Sequence, residues 1–171
     1  AHKVDWASYT PPRPSFLGTR VFGTWDLAEL ARYIDWTPFF QTWELKGRYP
    51  NILNDEKQGP AARQLFEDAQ AMLAKIVAEK WFAPKAVVGF WPANAAGDDV
   101  RVFTDETRTQ ELGTFFTLRQ QLTKRDGKFN VALSDFVAPL GSGKADYVGG
   151  FVVTAGIEEV AIAERFERAN D

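Results

Sequence analysis

The amino-acid sequence predicts an α+β protein in which helices pack on a curved antiparallel sheet. Two observations indicate this class. A long apolar stripe with helical spacing runs through residues 60–81, and short apolar segments separated by turn residues follow at 86–91, 100–103 and 147–154. Helices and strands that occupy separate stretches of a chain are typical of α+β folds.

Composition excludes several kinds of functional site. The 171 residues include no Cys and a single His, His2, and the formal net charge is −3. Disulfides, thiolate metal sites and a His-based triad are therefore excluded, and we predict no catalytic residue and no metal site. The slightly negative charge argues against a nucleic-acid surface, and no apolar run is long enough to span a bilayer. We expect a soluble, cytoplasmic protein.

The first 23 residues are expected to form an extended linker or a segment that wraps the domain. Three of the four residues at 11–14 are proline, which disfavours helix and sheet pairing. Trp6 and Tyr9 provide apolar surface by which this segment could be anchored. Residues 24–171 are expected to form the domain itself.

Two short helices are predicted between residues 24 and 45. Thr24 is expected to cap the first helix. The apolar stripe of that helix comprises Leu27, Leu30, Ala31 and Ile34. Thr37-Pro38 is expected to begin the second helix, because proline suits a first turn. Asp35 is then placed at the junction of the two helices.

The longest predicted helix runs from Pro60 to Trp81. Its apolar residues recur every three to four positions, as in a helix that buries one face. The residues expected to be buried are Leu65, Phe66, Ala69, Leu73, Ile76 and Val77. Pro84 is expected to stop the helix.

Strands and turns are predicted to dominate the rest of the chain. The predicted strands are residues 86–91, 100–103, 131–137 and 147–154. The first two would form an antiparallel hairpin joined by a turn-rich connection at 92–99. Residues 113–118 suit either a strand or a helix start, and 124–128 suit a charged turn. Gly149 and its neighbour indicate a close backbone approach, and a helix is predicted at 157–169.

The most unusual stretch is residues 33–45, which place two Trp, two Phe and a Tyr around Asp35. A carboxylate with few solvating neighbours requires a cationic or hydrogen-bonding partner. Aromatic faces also attract cations, so an ammonium or sulfonium ligand would suit this stretch. The alternative is that Asp35 caps a helix, which is an ordinary use of a half-buried Asp.

Five stretches occur in an order that is more specific than any short motif. They are YIDWTPFF at 33–40 with Trp43 and GRYP at 47–50, VVGFWPAN at 87–94, DETRT at 105–109, LRQQ at 118–121, and DFVAP at 135–139 running into SGKADY at 142–147. This order resembles the C-terminal activation domain of cobalamin-dependent methionine synthase, over nearly the whole chain from about Trp25 onward.

The resemblance implies a role for individual residues. In that family the Asp that matches Asp35 belongs to the S-adenosylmethionine site, so Asp35 is expected to accept the α-ammonium of this ligand. Trp36, Phe39 and Phe40 are expected to shape or support the site. Glu159 is a candidate contact with the cobalamin-binding domain of the same enzyme.

The resemblance also implies a function. The domain would supply S-adenosylmethionine as methyl donor for the reductive remethylation of cob(II)alamin, while a flavodoxin-type protein supplies an electron. Cobalamin would be held by a separate domain. The chain would thus be part of a methyltransferase of methionine biosynthesis, without activity of its own. Because the family pattern continues with a further Arg and a Gly-Tyr turn, we expect the N-terminal portion of a larger activation domain.

Two other interpretations remain open. One is a hydrolase that uses the carboxylates of Asp105, Glu106 or Asp135, although a charged turn with an internal Arg pair is the commoner use of DETR. The other is a protein-interaction module without a ligand. The GSGK sequence at 141–144 resembles a phosphate loop but lacks the following Ser or Thr, so a turn is predicted there.

Overall fold

The structure, a computed structural model, describes residues 4–125 and 127–169, so His2 lies outside the described residues. The α+β class and the curved antiparallel sheet are confirmed, since the sheet is curled into a half-barrel. The strands are β1 Gly18–Phe22, β2 Lys85–Ala96, β3 Asp99–Phe103, β4 Glu111–Phe116 and β5 Asp146–Thr154. The α-helices are α1 Leu27–Ala31, α2 Trp36–Thr42, α3 Gly59–Glu79 and α4 Glu159–Ala169.

The described residues divide into two compact units. Unit 1 comprises 4–21 and 87–152 and contains most of the sheet. Unit 2 comprises 22–86 and 153–169 and contains the four α-helices. The N-terminal residues were expected to be irregular, but they include β1, which the sequence analysis missed. The division into a linker at 1–23 and a domain at 24–171 stays a prediction.

The sheet follows the order β1-β2-β3-β4, and β5 pairs with β2. The predicted hairpin is confirmed: β2 and β3 are antiparallel, and Ala96 lies opposite Asp99. Gly97, with φ of 68°, supplies the left-handed turn residue that a two-residue hairpin requires. β4 pairs antiparallel with β3, so the ambiguous stretch at 113–118 lies mainly in a strand.

The turn-rich connection expected at 92–99 is wrong, because β2 continues through Pro92 to Ala96. Pro92 cannot donate to a ladder, but the register with β3 begins only at Ala93. Residues 92–95 are buried, and burial of the apolar side chains of Pro92, Ala93 and Ala95 stabilises the strand. Ala93, Val100 and Val102 form the buried centre of this unit.

The strand predicted at 131–137 is also wrong, since Leu133–Phe136 is a 3-10 helix. Asp135 accepts a hydrogen bond from the Ala132 amide at 3.2 Å, and the Val137 amide donates to the Ser134 carbonyl at 3.2 Å. These local bonds close a turn and replace strand pairing. Two other 3-10 helices are described: Asn51–Asn54, which precedes α3, and Leu140–Ser142, which lies in the loop that was predicted to be a turn.

The first helix differs from the prediction at both ends. Asp26 rather than Thr24 caps α1, with its carboxylate accepting from the Ala28 amide at 2.9 Å. The helix ends at Ala31, and none of its residues is buried. The expected core-facing stripe through Ile34 is therefore wrong, because the helix is too short to present it. The second helix is confirmed, with Pro38 in its first turn.

The long helix is confirmed as α3, Gly59–Glu79. It ends two residues before Trp81 because Lys80 adopts the left-handed conformation, with φ of 53°. The six apolar residues predicted to be buried are half-buried, whereas Ala62 is fully buried. Together with Phe40 and Ile52, Ala62 forms the core of unit 2.

The C-terminal strand and helix are confirmed as β5 and α4. Within unit 2 the ring of Phe166 on α4 lies 5.6 Å from the ring of Trp81. Among the described residues, no helix is long and apolar enough to cross a bilayer.

Candidate functional site

Asp35 lies at the junction predicted for it, between α1 and α2. It is the N-cap residue of α2, with φ −80° and ψ 108°, and its Oδ1 accepts the Thr37 amide at 3.0 Å. Extended backbone and a short acceptor side chain are what an N-cap requires. Oδ2 accepts no hydrogen bond from the residues that the structure describes. One carboxylate oxygen is thus fixed by the helix and the other is available to a ligand.

The expectation that Asp35 has few solvating neighbours is wrong, because the residue is exposed. The aromatic side chains that follow it turn inward instead. Trp36 packs edge-to-face on Phe39 and on Phe66 of α3, with ring centroids 5.4 and 5.0 Å apart. Phe40 is 0% exposed. The aromatic residues therefore hold α2 to α3, and the carboxylate projects from the edge of this aromatic core.

The start of α2 is also held by the loop that follows the helix. The Tyr49 amide donates to Oγ1 of Thr37 at 3.3 Å. The Tyr49 ring stacks on Phe40 with an interplanar angle of 15° and a centroid distance of 6.4 Å. Trp36, Phe39 and Phe40, the three residues predicted to support the site, thus act through packing on one another and on this loop.

Two aromatic side chains near Asp35 in the sequence point to solvent. Tyr33 is 78% exposed and Trp43 is 60% exposed. Large exposed aromatic residues on either side of a short helix are uncommon in a folded surface and are typical of contact sites. They belong to the stretch that the sequence analysis singled out.

Of the two acidic residues at the start of α4, one is exposed and the other is half-buried. Glu159, the predicted partner contact, is exposed and lies in the first turn of α4. Glu158 is half-buried, and its Oε2 has no hydrogen-bond partner among the described residues. An unpaired buried oxygen is costly unless a partner group satisfies it. Glu158, the neighbour of the predicted contact Glu159, is therefore a second candidate for a partner contact.

In unit 1, the carboxylate of Glu106 has three donors. Arg13 donates through Nε at 2.9 Å and Nη2 at 2.8 Å, and the Tyr147 hydroxyl donates at 2.8 Å. The bonds from Arg13, and then the bond from Tyr147, lower the pKa of Glu106 to about 2. The internal Arg pair expected within DETR is wrong, because the guanidinium comes from the N-terminal segment.

A second ion network joins the β2–β3 turn to the 3-10 helix Leu133–Phe136. Arg119 donates to Asp98 from Nη2 at 2.6 Å, and to Asp135 from Nη1 at 2.7 Å and Nη2 at 2.8 Å. The Arg119 guanidinium holds the pKa of the Asp98 carboxyl below its usual range. The Asp135 side chain is only 6% exposed, so this bidentate pair is shielded from water.

Asn94 and Arg108 form a third network that sequence reasoning missed. The buried Asn94 amide donates to the Ala138 and Lys144 carbonyls, both at 2.9 Å, and its oxygen accepts from Nε of Arg108 at 2.9 Å. Arg108 also donates to the carbonyls of Glu106 and Asp146. Its φ of 54° is unusual for a residue with a side chain. Both residues lie in stretches that carried the family resemblance, and this membership was the signal in the sequence that could have identified them.

These networks disfavour the hydrolase interpretation. Asp105 accepts from the Thr107 amide and hydroxyl, and these bonds lower its pKa. Since the pKa of Glu106 is lowered too, neither group suits the proton donor of such a hydrolase, whose pKa must be raised. Over the described residues, no group of three or more metal-ligating side chains is positioned to hold an ion. Lys144 is followed by β5 rather than by a helix, so GSGK lacks the context of a phosphate loop, although its first two residues lie in a 3-10 helix rather than in a simple turn.

The chain is similar to known proteins both in sequence and in structure. Residues 26–171 match the sequence family described as the activation domain of vitamin B12-dependent methionine synthase. Among solved structures, the chain is similar to the MetH reactivation domain bound to AdoHcy. The identity is 50% and the TM-score is 0.90, over 99% of this chain and 52% of the solved chain.

The α+β fold and the sequence match together place this chain among activation domains. The chain belongs to the family of vitamin B12-dependent methionine synthase activation domains. It spans about half the length of the solved reactivation domain that it matches.

Proposed function

We propose that this chain forms the S-adenosylmethionine-binding part of a methionine synthase reactivation domain. The observation that carries the proposal is its likeness, at 50% identity, to a reactivation domain solved with AdoHcy. AdoHcy, or S-adenosylhomocysteine, is what S-adenosylmethionine becomes when it gives up its methyl group. The two molecules share the amino-acid end that a carboxylate such as Asp35 recognises.

Asp35 binds the ligand's α-ammonium through Oδ2 in this proposal, while Oδ1 keeps the Thr37 amide. A charge-assisted hydrogen bond of this kind contributes about 1.5–3 kcal/mol when it is shielded from water. Trp36, Phe39 and Phe40 do not need to touch the ligand, because their role is to fix α2 and so the direction of the carboxylate.

The chain acts by positioning a methyl donor, which requires no nucleophile and no base. In the proposed reaction the ligand supplies a methyl group and a flavodoxin-type protein supplies one electron, so that cob(II)alamin returns to its methylated form and S-adenosylhomocysteine leaves. Cobalamin is held by a separate domain of the same enzyme. The chain is thus one part of a methyltransferase, and it has no activity alone.

The acidic start of α4 is the proposed contact with the cobalamin-binding domain. Glu159 is exposed and therefore accessible to a partner. Glu158 has an oxygen that a donor from a partner would satisfy. Substituting Glu158 and Glu159 by Gln one at a time distinguishes their roles. Only the substitution of the residue that contacts the partner should lower the reactivation rate of the assembled enzyme.

The test of the ligand site uses a chimera, in which this chain is joined in register to the unmatched part of the solved reactivation domain. Asp35→Asn in the chimera should weaken S-adenosylmethionine binding by about 10- to 100-fold, since the substitution removes the charge from a shielded bond. Isothermal titration calorimetry measures this affinity directly.

Asp26→Asn is the matched control, because Asp26 caps α1 with the same geometry that Asp35 uses on α2. Both substitutions should lower the melting temperature only slightly, because Asn keeps an oxygen that can cap the helix and loses only the negative charge that the helix dipole favours. Only Asp35→Asn should lower the affinity. If the two variants bind S-adenosylmethionine equally well, Asp35 is a cap and not a ligand-binding residue.

A further inference from the structure

Unit 1 has an apolar groove on the side of β4. It has a volume of about 470 Å³ and is lined by residues that include Val100, Phe115, Phe116, Leu118, Leu133 and Val137. Three of them are among the most exposed apolar side chains of the described residues: Phe116 at 83%, Leu118 at 85% and Leu133 at 73%. A contiguous exposed apolar surface of this kind marks a contact site.

The groove lies beside an open edge of the sheet. β4 pairs with β3 on one side and is the last strand of the path β1-β2-β3-β4 among the described strands. A strand with one unpaired edge and exposed aromatic side chains is a place where another chain segment can add its own backbone hydrogen bonds.

Of the side chains that line the groove, only that of Thr117 is polar, and its hydroxyl already has hydrogen-bond partners. The Thr117 hydroxyl donates to the Asp98 carbonyl and accepts from the Ser134 amide at 3.2 Å. The other lining residues are apolar. The side chains of the groove therefore offer no partner to the ammonium, carboxylate or ribose of a ligand such as S-adenosylmethionine. An apolar polypeptide segment suits the groove better, because its backbone can also pair with the open edge of β4.

We propose that this groove is the surface on which the remaining half of an activation domain packs, with apolar side chains entering between β4 and the 3-10 helix Leu133–Phe136. The length of the solved relative supports this occupant. The solved reactivation domain is matched over 52% of its chain, while 99% of this chain is used in the match. That relative thus has nearly as much polypeptide again, which needs a surface on this half to bury its own core. The proposal does not depend on the ligand site.

Hydroxyl-radical footprinting tests it, with this chain and the chimera compared side by side. We expect Phe116, Leu118 and Leu133 to react at least about 5-fold more slowly in the chimera, because burial removes them from solvent. Met72, which is 42% exposed on α3 and lies outside both the groove and the stretch around Asp35, is the internal reference. Unchanged reactivity of the three residues in the chimera contradicts the proposal.

Two further outcomes are informative. If the three residues are already protected in this chain alone, and sedimentation shows a dimer, a second copy occupies the groove and the proposal is overturned. Leu118→Asn should lower the melting temperature of the chimera by several degrees and leave that of this chain nearly unchanged. An equal loss in both would mean that Leu118 stabilises unit 1 itself, which also counts against the proposal.

Discussion

At the scale of single residues, Asn94 shows how one buried amide fixes several chain segments. Its two donated hydrogen bonds reach Ala138 and Lys144, and the bond that it accepts comes from Arg108. Every polar atom of the Asn94 side chain is satisfied, as a buried amide requires. Removing one partner would leave a buried acceptor without a donor.

Arg108→Lys should therefore lower the free energy of unfolding by about 1–3 kcal/mol, because lysine cannot reproduce the fork that reaches Asn94 and two carbonyls. Arg101→Lys is the control. Arg101 pairs with Glu111 on a more exposed part of the sheet, where an ion pair contributes about 0–1 kcal/mol. Urea denaturation of both variants gives the comparison, and equal losses would contradict the role given to Asn94.

Glu106 predicts a pH dependence of stability. Its pKa of about 2 in the folded protein lies below its ordinary value of 4.5, so the unfolded chain binds the proton more readily. The stabilisation by this carboxylate is complete above about pH 4.5 and is lost as the pH falls towards 2. Glu106→Gln should melt at a lower temperature than the wild type at pH 5, and the difference should shrink towards pH 2.

Arg13→Gln provides the check on the cause, because Arg13 supplies the largest contribution to the lowered pKa. It should remove much of the same pH-dependent stabilisation. Thermal melts between pH 5 and 2 measure both variants. A gap between wild type and Glu106→Gln that stays constant over this range would show that Glu106 does not titrate as described.

At the scale of elements, β5 passes very close to β2. A Cβ atom on Gly149 would lie 2.7 Å from the Phe90 ring, whereas the same atom on Gly150 would have no neighbour within 4 Å. The close approach predicted at this pair of glycines is therefore confirmed at Gly149 only. Glycine at this position lets the Phe90 ring cover the strand directly, and Phe90 in turn contacts Phe16 at 5.2 Å.

Gly149→Ala should lower the free energy of unfolding by about 1–3 kcal/mol, since the new methyl group displaces the Phe90 ring. Gly150→Ala should be neutral or stabilising by up to about 1 kcal/mol, because alanine loses less entropy than glycine in a strand. Chemical denaturation distinguishes the two variants. If Gly150→Ala is the more destabilising, the packing assigned to Gly149 is incorrect.

Local patterns were sufficient for some elements and not for others. The spacing of apolar residues predicted α3, and the hairpin signals predicted β2 and β3. Pro92 suggested a break in β2, because proline has no amide to donate to a ladder. The strand continues through Pro92 because the ladder with β3 begins only at Ala93, and the sequence alone does not show this register. The 3-10 helix at Leu133–Phe136 depends on the hydrogen bond that the Asp135 carboxylate accepts from the Ala132 amide, so its apolar residues alone suggested a strand.

Only part of the candidate site could be predicted from the sequence. The junction position of Asp35 followed from capping and proline signals, which are local. Its exposure did not, because the inward direction of Trp36 is set by its contact with Phe66, thirty residues further along the chain. Glu158 stood out only when its burial was known.

At the scale of the whole molecule, the described residues form two units, and the chain spans half of the solved domain that it matches. Asp35 belongs to the helical unit. One carboxylate recognises the ammonium of an amino acid, but it does not bind the carboxylate or the adenine of S-adenosylmethionine. The remaining contacts have to come from other residues.

We therefore expect this chain to bind S-adenosylmethionine at least about 10-fold more weakly than the chimera that contains the other half, because each lost hydrogen bond to a charged group contributes about 1.5–3 kcal/mol. Calorimetry on both proteins, at one temperature and salt concentration, gives the ratio. Equal affinities would show that the binding site lies entirely within these 171 residues.

The bond between Asp35 and the Thr37 amide has a consequence for how fast a ligand is released. Because the cap already fixes the rotamer of this carboxylate, a ligand that binds to Oδ2 does not have to order it, and little side-chain entropy is lost on association. Preorganisation of this kind lengthens residence time more than it accelerates encounter. A loosened α2 N-terminus should therefore show itself first as faster dissociation.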